Sequence, residues 1–165
     1  MPILDSNTLE FFSHSPQQTK RAGIRIGALI RPGDVLCLEG DLGSGKTTLV
    51  HGIAQGWGTA DLVTSPTYVI VNEYLHPSGI KLFHLDAYRL QGDFDAEILD
   101  IDLLLQRGPL IIEWAERIKK ILPPEYLWIN MRWMGAEQRH LTFIPTGSRY
   151  EHMTNKLRQL LFGAI

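Results

Sequence analysis

One short segment constrains the fold of this chain more than any other: residues 40–48, which read GDLGSGKTT. The four residues before Glu39, Val35–Leu38, are all apolar, as in a strand buried on both faces of a sheet. Apolar residues then recur at helical spacing after the segment, at Leu49, Val50, Ile53, Ala54 and Trp57. The pattern therefore predicts a buried strand, a glycine-rich loop and a helix that begins at the loop.

The loop matches the phosphate-binding pattern G-x-x-x-x-G-K-[ST], with Gly40, Gly45, Lys46 and Thr47 at the defined positions. Glycines let several backbone N–H groups converge on one anion, and the N-terminus of the next helix adds its own unpaired N–H groups. We predict that Lys46 lies between the β- and γ-phosphates of a nucleotide and that the Thr47 hydroxyl binds Mg²⁺. The alternative is an ordinary glycine-rich turn with a surface lysine. The predicted nucleotide contacts are Asp41, Leu42, Gly43, Ser44, Gly45, Lys46, Thr47 and Thr48.

Two carboxylates are placed to complete a Mg²⁺–nucleotide site. A second apolar strand, Leu110–Ile112, ends at Glu113, which would hold the metal directly or through water. Asp86 follows a strand predicted over Ile80–Leu85 and would orient the attacking water or support the metal. The alternatives are a glutamate that faces solvent and an aspartate that caps a turn. The catalytic candidates are Lys46, Asp86 and Glu113, and the metal-ligand candidates are Thr47 and Glu113.

Two further features lie near these carboxylates in the sequence or in the expected fold. Ser65, Pro66, Thr67 and Tyr68 form a polar loop that enters a predicted strand over 67–75. Such a loop can sense a γ-phosphate as switch segments do, although an ordinary connection has the same composition. Trp114 directly follows Glu113, and both core packing and stacking beside the nucleotide fit its position.

The rest of the chain alternates strand and helix patterns. A capping box at Ser15–Gln18 begins a helix that reaches about Ile30, and Ser148–Glu151 repeats the box before a C-terminal helix. The other predicted elements are a strand at Thr8–Ser13, a helix with Phe94, Ile98, Ile101 and Leu105 on one face, a short helix at Ala115–Ile121, and strands at Tyr126–Trp133 and His140–Ile144. The expected fold class is α/β: a P-loop NTPase-like, mainly parallel sheet flanked by helices with added antiparallel strands, in a single domain over residues 1–165.

Charge and composition exclude several functional classes. The formal net charge of the 165 residues is −2, which argues against direct binding of long nucleic acids. Cys37 is the only cysteine, so no intramolecular disulfide forms, as is usual in a reducing compartment. No apolar run approaches the roughly 20 residues of a membrane span, and the first residues lack the features of a signal peptide. We expect a cytoplasmic protein with no membrane partner.

The base of the nucleotide is predicted by the absence of guanine-recognition motifs. The stretch nearest to N-K-x-D is Asn155–Arg158, which lacks the aspartate and falls in a predicted helix. No D-x-x-G follows the loop. Adenine, and therefore ATP with Mg²⁺, is the favoured ligand.

Four motifs taken together resemble one family. The glycine loop, SPTY at 65–68, HLDAYRL at 84–90 and IIEW at 111–114 occur in the order and spacing of the TsaE (YjeE) family. That family supplies the ATPase of bacterial tRNA threonylcarbamoyladenosine biosynthesis. The similarity runs from the helix at Ser15 to the late strands.

The resemblance implies a P-loop ATPase that is weakly active alone. It implies work with the proteins TsaD and TsaB, which transfer a threonylcarbamoyl group to adenosine 37 of tRNAs reading ANN codons, so that contact with tRNA is indirect. By position, it implies that Lys46 binds phosphate, that Thr47 and Glu113 bind Mg²⁺, and that Asp86 is needed for hydrolysis. It also implies a switch-like loop at Ser65, Thr67 and Tyr68, a tryptophan beside the metal carboxylate at Trp114, and a nucleotide contact at Arg139. Ser44, Asp100 and Ala115 depart from the family pattern, in which alanine, glycine and proline are frequent at these positions.

Two other functions stay open at this point. A small-molecule or nucleoside kinase uses the same loop, but it needs an acceptor pocket and usually an arginine-rich lid, which no long insertion supplies. A nucleotide-gated scaffold with negligible turnover needs only the binding site.

Overall fold

The computed structural model describes residues 6–63, 71–90 and 99–163. Within these ranges the chain forms seven β-strands and four α-helices. The strands are β1 (Leu9–Ser13), β2 (Val35–Glu39), β3 (Val71–Leu75), β4 (Lys81–Asp86), β5 (Leu110–Glu113), β6 (Tyr126–Gly135) and β7 (Gln138–Thr146), and the helices are α1 (Pro16–Gly27), α2 (Lys46–Trp57), α3 (Ile101–Arg107) and α4 (Ser148–Phe162). Short 3-10 segments cover Ala87–Arg89 and Ala115–Ile121.

The described strands form one sheet of order β1-β7-β6-β2-β5-β4-β3. The four central strands, β6, β2, β5 and β4, run parallel to one another. Antiparallel strands lie outside them, with β7 and β1 at one edge and β3 at the other. The predicted α/β class, with a parallel core and added antiparallel strands, is confirmed.

The central strands are buried on both faces, as their continuous apolar runs predict. Leu36 and Leu38 of β2 pack into a core that contains residues of α1, α2 and α4. Val35 and Cys37 alternate with them and pack into a second core on the opposite face of the sheet. Every residue of β5, including Glu113, is buried.

Helices α1 and α2 approach each other through glycines. A Cβ built on Gly27 would lie 2.1 Å from the carbonyl oxygen of Ile53, and one built on Gly52 would lie 2.1 Å from the carbonyl oxygen of Lys20. These distances are far inside van der Waals contact, so the two backbones approach this closely only because both residues lack a side chain. The packing fixes α2, whose first residue is Lys46, against the rest of the domain.

The predicted helix starts are confirmed in one case and wrong in another. The Oγ of Ser15 accepts a hydrogen bond of 3.1 Å from the N–H of Gln18, so it caps α1 as predicted. At α4 the cap is Gly147, whose carbonyl accepts from the N–H groups of Tyr150 and Glu151. Ser148 is therefore the first helical residue and not a cap, because the helix begins one residue earlier than the serine pattern indicates.

Other boundaries differ by a few residues. Helix α1 ends at Gly27 and not near Ile30, and β6 and β7 are longer than predicted because they pair up to a tight turn. The predictions for residues 67–70 and for Phe94 and Ile98 fall outside the described residues. No helix of the described ranges has the length and apolar character needed to cross a bilayer.

Candidate functional site

The glycine loop and both predicted carboxylates lie at one edge of the sheet. In the paired registers, Leu38 of β2 is opposite Glu113 of β5, and Asp86 of β4 is opposite the same glutamate. Because these strands are parallel, their carboxyl ends meet beside the loop that follows β2. A cavity of about 370 Å³ opens there, a volume in the range of small-molecule sites. Its lining comprises Leu42, Gly43, Gly45, Lys46, Thr47, Thr48, Asp86, Glu113, Trp114 and Arg139.

Three glycines of the loop are required for two different reasons. Gly43 and Gly45 have φ values of 79° and 99°, in the left-handed region that favours glycine. Gly40 is required by packing, since a Cβ there would lie 2.6 Å from both the carbonyl oxygen of Met131 and the Oγ of Ser44. The loop can therefore turn back over the end of β2 and present its backbone to the cavity.

The N-terminus of α2 has the features of an anion site. Its cap, Gly45, provides no side-chain hydrogen bond, and the first turn contains no acidic residue. No acidic side chain of the first turn and no capping side chain therefore competes with an anion for the positive end of the helix dipole. This end lies at the cavity, where a phosphate group would interact with it favourably.

Lys46 is held inside the loop and is not a surface lysine. Its side chain donates to the carbonyl oxygen of Gly40, to that of Asp41 at 2.9 Å and to the Oγ of Ser44 at 3.3 Å. Only 6% of the residue is exposed. Asp41 and Ser44, predicted as nucleotide contacts, do not line the cavity, and they contact the lysine instead.

The charge of Lys46 is set by opposing effects. Burial lowers the pKa of its ammonium, and the surrounding carboxylates raise it. The ammonium also lies 4.3 Å from the centre of the Trp114 ring, a cation–π contact. The carboxylates that act on it are Glu113, Glu116, Asp41 and Asp86.

Glu113 faces the protein interior, so the alternative of a glutamate in solvent is wrong. Only 4% of the residue is exposed, and its Oε2 lies 2.7 Å from the Nε2 of His84. The other ring nitrogen of His84, Nδ1, lies 2.9 Å from the hydroxyl of Tyr74. Sequence reasoning missed both partners. The available signal was a histidine inside an apolar strand, two residues before Asp86 and thus on the same face of β4.

Asp86 caps a turn, as the alternative interpretation predicts, and it also lines the cavity, so the cap does not remove it from the candidate site. Its carboxylate accepts the N–H of Tyr88 at 3.0 Å, which caps the 3-10 segment after β4. Burial raises the pKa of Asp86, and the nearby Glu113 acts in the same direction, whereas the hydrogen bond from Tyr88 lowers it.

Arg139 and Trp114 both line the cavity. The Nη1 of Arg139 donates to the carbonyl oxygens of Ala136 at 3.0 Å and Gln138 at 2.9 Å. Its Nε is buried and has no hydrogen-bond partner among the described residues, so this donor suits an anion in the cavity.

Trp114 has a φ of 58°, a left-handed conformation that costs a tryptophan roughly 1–2 kcal/mol and that turns the chain sharply after Glu113.

The residues present suit Mg²⁺ bound together with phosphate. Thr47 and Glu113 line the same cavity, and no group of three or more metal-binding side chains occurs within 6–63, 71–90 and 99–163. Mg²⁺ keeps several waters and takes phosphate oxygens, so one carboxylate and one hydroxyl are a sufficient protein share. The predicted switch-like loop, Ser65 to Tyr68, lies outside the described residues.

Comparison with known proteins gives consistent results. The family "Threonylcarbamoyl adenosine biosynthesis protein TsaE" matches residues 13–141. A Bacillus subtilis protein named tRNA threonylcarbamoyladenosine biosynthesis protein TsaE is 39% identical over 150 residues, covering 90% of this chain and 93% of the relative. A Streptomyces coelicolor protein of the same name is 40% identical over 139 residues, covering 79% and 93%. The crystal structure of Bacillus subtilis YdiB has a TM-score of 0.77 and 35% identity, and the match covers 93% of this chain and 95% of that one. The predicted P-loop fold is thereby confirmed.

Proposed function

Because the chain belongs to the TsaE family, we propose that it is a Mg²⁺-dependent ATPase that supports threonylcarbamoyl transfer to adenosine 37 of tRNAs reading ANN codons. One observation carries the proposal: Lys46, Glu113 and Asp86 line a single cavity at the N-terminus of α2. The reaction is hydrolysis of ATP to ADP and phosphate.

The loop and the helix terminus would bind the phosphates. Backbone N–H groups of Gly43 and of residues 45–48 would donate to phosphate oxygens, whereas the N–H of Ser44 donates to the carbonyl oxygen of Asp41, and the ammonium of Lys46 would balance the charge. The loop carbonyls of Gly40 and Asp41 hold the side chain of Lys46 in place, so little side-chain entropy would be lost on binding. The guanidinium of Arg139, which lines the same cavity, would add a second cation.

The carboxylates would support the chemical step. Thr47 and Glu113 would hold Mg²⁺, which neutralises charge on the β- and γ-phosphate oxygens when bound. Asp86 accepts hydrogen bonds at the same edge, and we assign it the orientation of the attacking water. Its raised pKa, caused first by burial, makes it a better proton acceptor than an exposed aspartate.

The proposed partners are the TsaD and TsaB proteins, as family membership implies. We propose that tRNA contact is indirect, because the net charge of −2 provides no basic excess for a phosphate backbone. Hydrolysis of ATP would then reset the partner complex, and this chain would not modify tRNA itself.

A turnover assay tests this function. The purified chain is incubated with γ-labelled ATP and Mg²⁺, alone and with TsaD and TsaB, and released phosphate is measured. We expect slow release alone, faster release with the partners, and loss in the Glu113→Ala variant. Transfer of label to an added nucleoside or small-molecule acceptor would instead support the kinase.

A second assay separates the ATPase from the scaffold. The chain is used to capture TsaD and TsaB with and without ATP and Mg²⁺, and tRNA modification is measured with the Glu113→Ala variant. Capture that depends on ATP, together with modification that does not need hydrolysis, would favour the scaffold.

A further inference from the structure

A chain of three side chains crosses the sheet beneath the cavity. Tyr74 of β3, His84 of β4 and Glu113 of β5 are linked in that order, at 2.9 Å and 2.7 Å. Strand register explains the chain. Tyr74 is opposite Leu82, and Glu113 is opposite Asp86. Because every second residue of a strand lies on the same face, Leu82, His84 and Asp86 share one face of β4. This is the face against which α2 packs.

Core packing alone does not explain a histidine at this position. His84 is fully buried, and its neighbours in the strand, Leu82, Phe83 and Leu85, are fully buried apolar residues. A buried imidazole loses free energy unless both ring nitrogens are hydrogen-bonded, whereas an aliphatic side chain carries no such requirement. Both nitrogens of His84 have a partner, so each polar atom of the ring makes a specific hydrogen bond.

The hydrogen-bond chemistry of the three groups fixes their roles. An ionised carboxylate only accepts hydrogen bonds, so Nε2 of His84 carries its own hydrogen and donates a hydrogen bond to Oε2 of Glu113. In a neutral ring Nδ1 is then an acceptor, and the hydroxyl of Tyr74 donates to it. The tyrosine thus selects the tautomer, and the histidine fixes one carboxylate oxygen.

We propose that His84, with its tautomer set by Tyr74, is a positioning residue that holds the Glu113 carboxylate in the orientation that binds Mg²⁺. This inference rests on the proposed function. His84 touches neither metal nor nucleotide and transfers no proton. It occupies one oxygen of Glu113 and leaves the other for the metal or its water, as side chains behind metal ligands commonly do.

The test compares variants that keep or remove a hydrogen-bond donor while the size of the side chain changes little. His84→Leu keeps the bulk and removes the donor, and His84→Gln keeps an N–H near the position of Nε2. Tyr74→Phe removes only the hydroxyl. His140→Leu is the matched control, because it breaks another histidine–glutamate pair, with Glu10 at 3.0 Å, and His140 does not line the cavity.

The readout is the Kd of ATP, measured by calorimetry with Mg²⁺ and with EDTA. We expect His84→Leu to weaken the Mg²⁺ complex by about 10- to 100-fold, the usual range for such partners, with the EDTA value changed less than about threefold. His84→Gln should recover part of the loss, Tyr74→Phe should lose less, and His140→Leu should match the wild type. In a Glu113→Gln background, His84→Leu should add little.

Three results would overturn the inference. In the first, the wild type binds ATP and His84→Leu leaves the effect of Mg²⁺ on the Kd of ATP unchanged. This result would contradict the positioning role alone and leave the proposed function intact. The second is an equal loss with and without Glu113→Gln, which means that His84 acts elsewhere. The third is a wild-type chain that binds no ATP in either buffer, which sinks the proposed function as well. If His84→Leu does not fold, Tyr74→Phe still tests the inference, which an unchanged Mg²⁺ dependence in that variant would overturn.

Discussion

The ammonium of Lys46 lies 4.3 Å from the centre of the Trp114 ring and donates hydrogen bonds to the carbonyls of Gly40 and Asp41. The cation that would neutralise phosphate is therefore in direct contact with an aromatic side chain. Trp114 directly follows Glu113 and lines the same cavity. Charge that enters the cavity must change the field at this indole.

Tryptophan emission should report nucleotide binding. We expect ATP with Mg²⁺ to change the fluorescence of the wild-type chain in a saturable way, because a bound triphosphate opposes the charge of Lys46 beside the Trp114 ring. The measurement is a titration at fixed protein concentration, with Kd checked by calorimetry.

The Trp114→Phe variant provides the control for that signal. Phenylalanine keeps an aromatic face for Lys46, so calorimetric affinity should stay within a few-fold while most of the emission change disappears. The chain retains three other tryptophans, Trp57, Trp128 and Trp133. An undiminished signal in Trp114→Phe would mean that one of these reports binding and that Trp114 is remote from the ligand.

Lys46→Ala should weaken ATP binding by about 100-fold or more. The variant loses a cation that contacts phosphate, and hydrogen bonds to charged groups contribute roughly 1.5–3 kcal/mol each. The loop carbonyls of Gly40 and Asp41 lose their donor as well. Lys120→Ala, which removes an exposed lysine outside the cavity, is the control and should bind normally. Near-normal affinity in Lys46→Ala would contradict the phosphate assignment.

The sequence predicted the parts of the site that depend on neighbours in the chain. The run from Val35 through Thr48 contains a whole strand, a loop and a helix start, so its signals are local. The signal for Glu113 is also local, because this residue directly follows the apolar run of its own strand. What pattern reasoning did not supply was the orientation of that glutamate, because its partner His84 is 29 residues away on another strand.

Two further features could be explained only from the structure. Glycines are poor helix formers, so Gly27 and Gly52 weaken the local helix signal, and the reason for them is the backbone of the facing helix. Asp100 has a φ of 47°, in the left-handed region that favours glycine. Its side chain accepts the N–H of Leu103 at 3.2 Å and so caps α3.

Asp86→Asn should impair hydrolysis far more than folding or ATP binding. Asparagine still accepts the N–H of Tyr88 and retains the cap, but it cannot take a proton from water. We expect kcat to fall by about 100-fold or more, in the range of general acid–base effects, with Kd for ATP within a few-fold. The control is Asp100→Asn, which alters another capping aspartate outside the cavity and should leave turnover unchanged. Wild-type turnover in Asp86→Asn would remove its assigned role.

Gly52→Ala should destabilise the fold although alanine is the better helix former. Its Cβ would lie 2.1 Å from the carbonyl oxygen of Lys20, so α1 and α2 must separate. Overpacking of this kind costs about 1–3 kcal/mol and outweighs a gain of about 1 kcal/mol in helix propensity. Urea unfolding measures the difference. Gln55→Ala, at an exposed position of α2, is the control, and equal stability of the two variants would contradict the close helix contact.

Tyr150 should make the fold sensitive to alkali. Its hydroxyl oxygen accepts the N–H of Val35 at 2.8 Å, and burial raises the pKa of Tyr150 from 10.0 to about 12. Between these values the unfolded chain loses the proton and the folded chain keeps it, so the free energy of unfolding falls as pH rises through this window. At about 1.4 kcal/mol per pKa unit, the loss is at most about 3 kcal/mol.

Urea unfolding of the wild type and of Tyr150→Phe at pH 8 and between pH 10 and 12 checks this effect. The variant should be less stable at pH 8 by about 1–3 kcal/mol, because the N–H of Val35 loses its acceptor. It should then lose less stability than the wild type above pH 10. The buried thiol of Cys37, whose pKa burial also raises, adds an alkaline loss of the same sign to both proteins and cancels in the comparison. Parallel alkaline losses in the two proteins would show that Tyr150 titrates alike in the folded and unfolded chains.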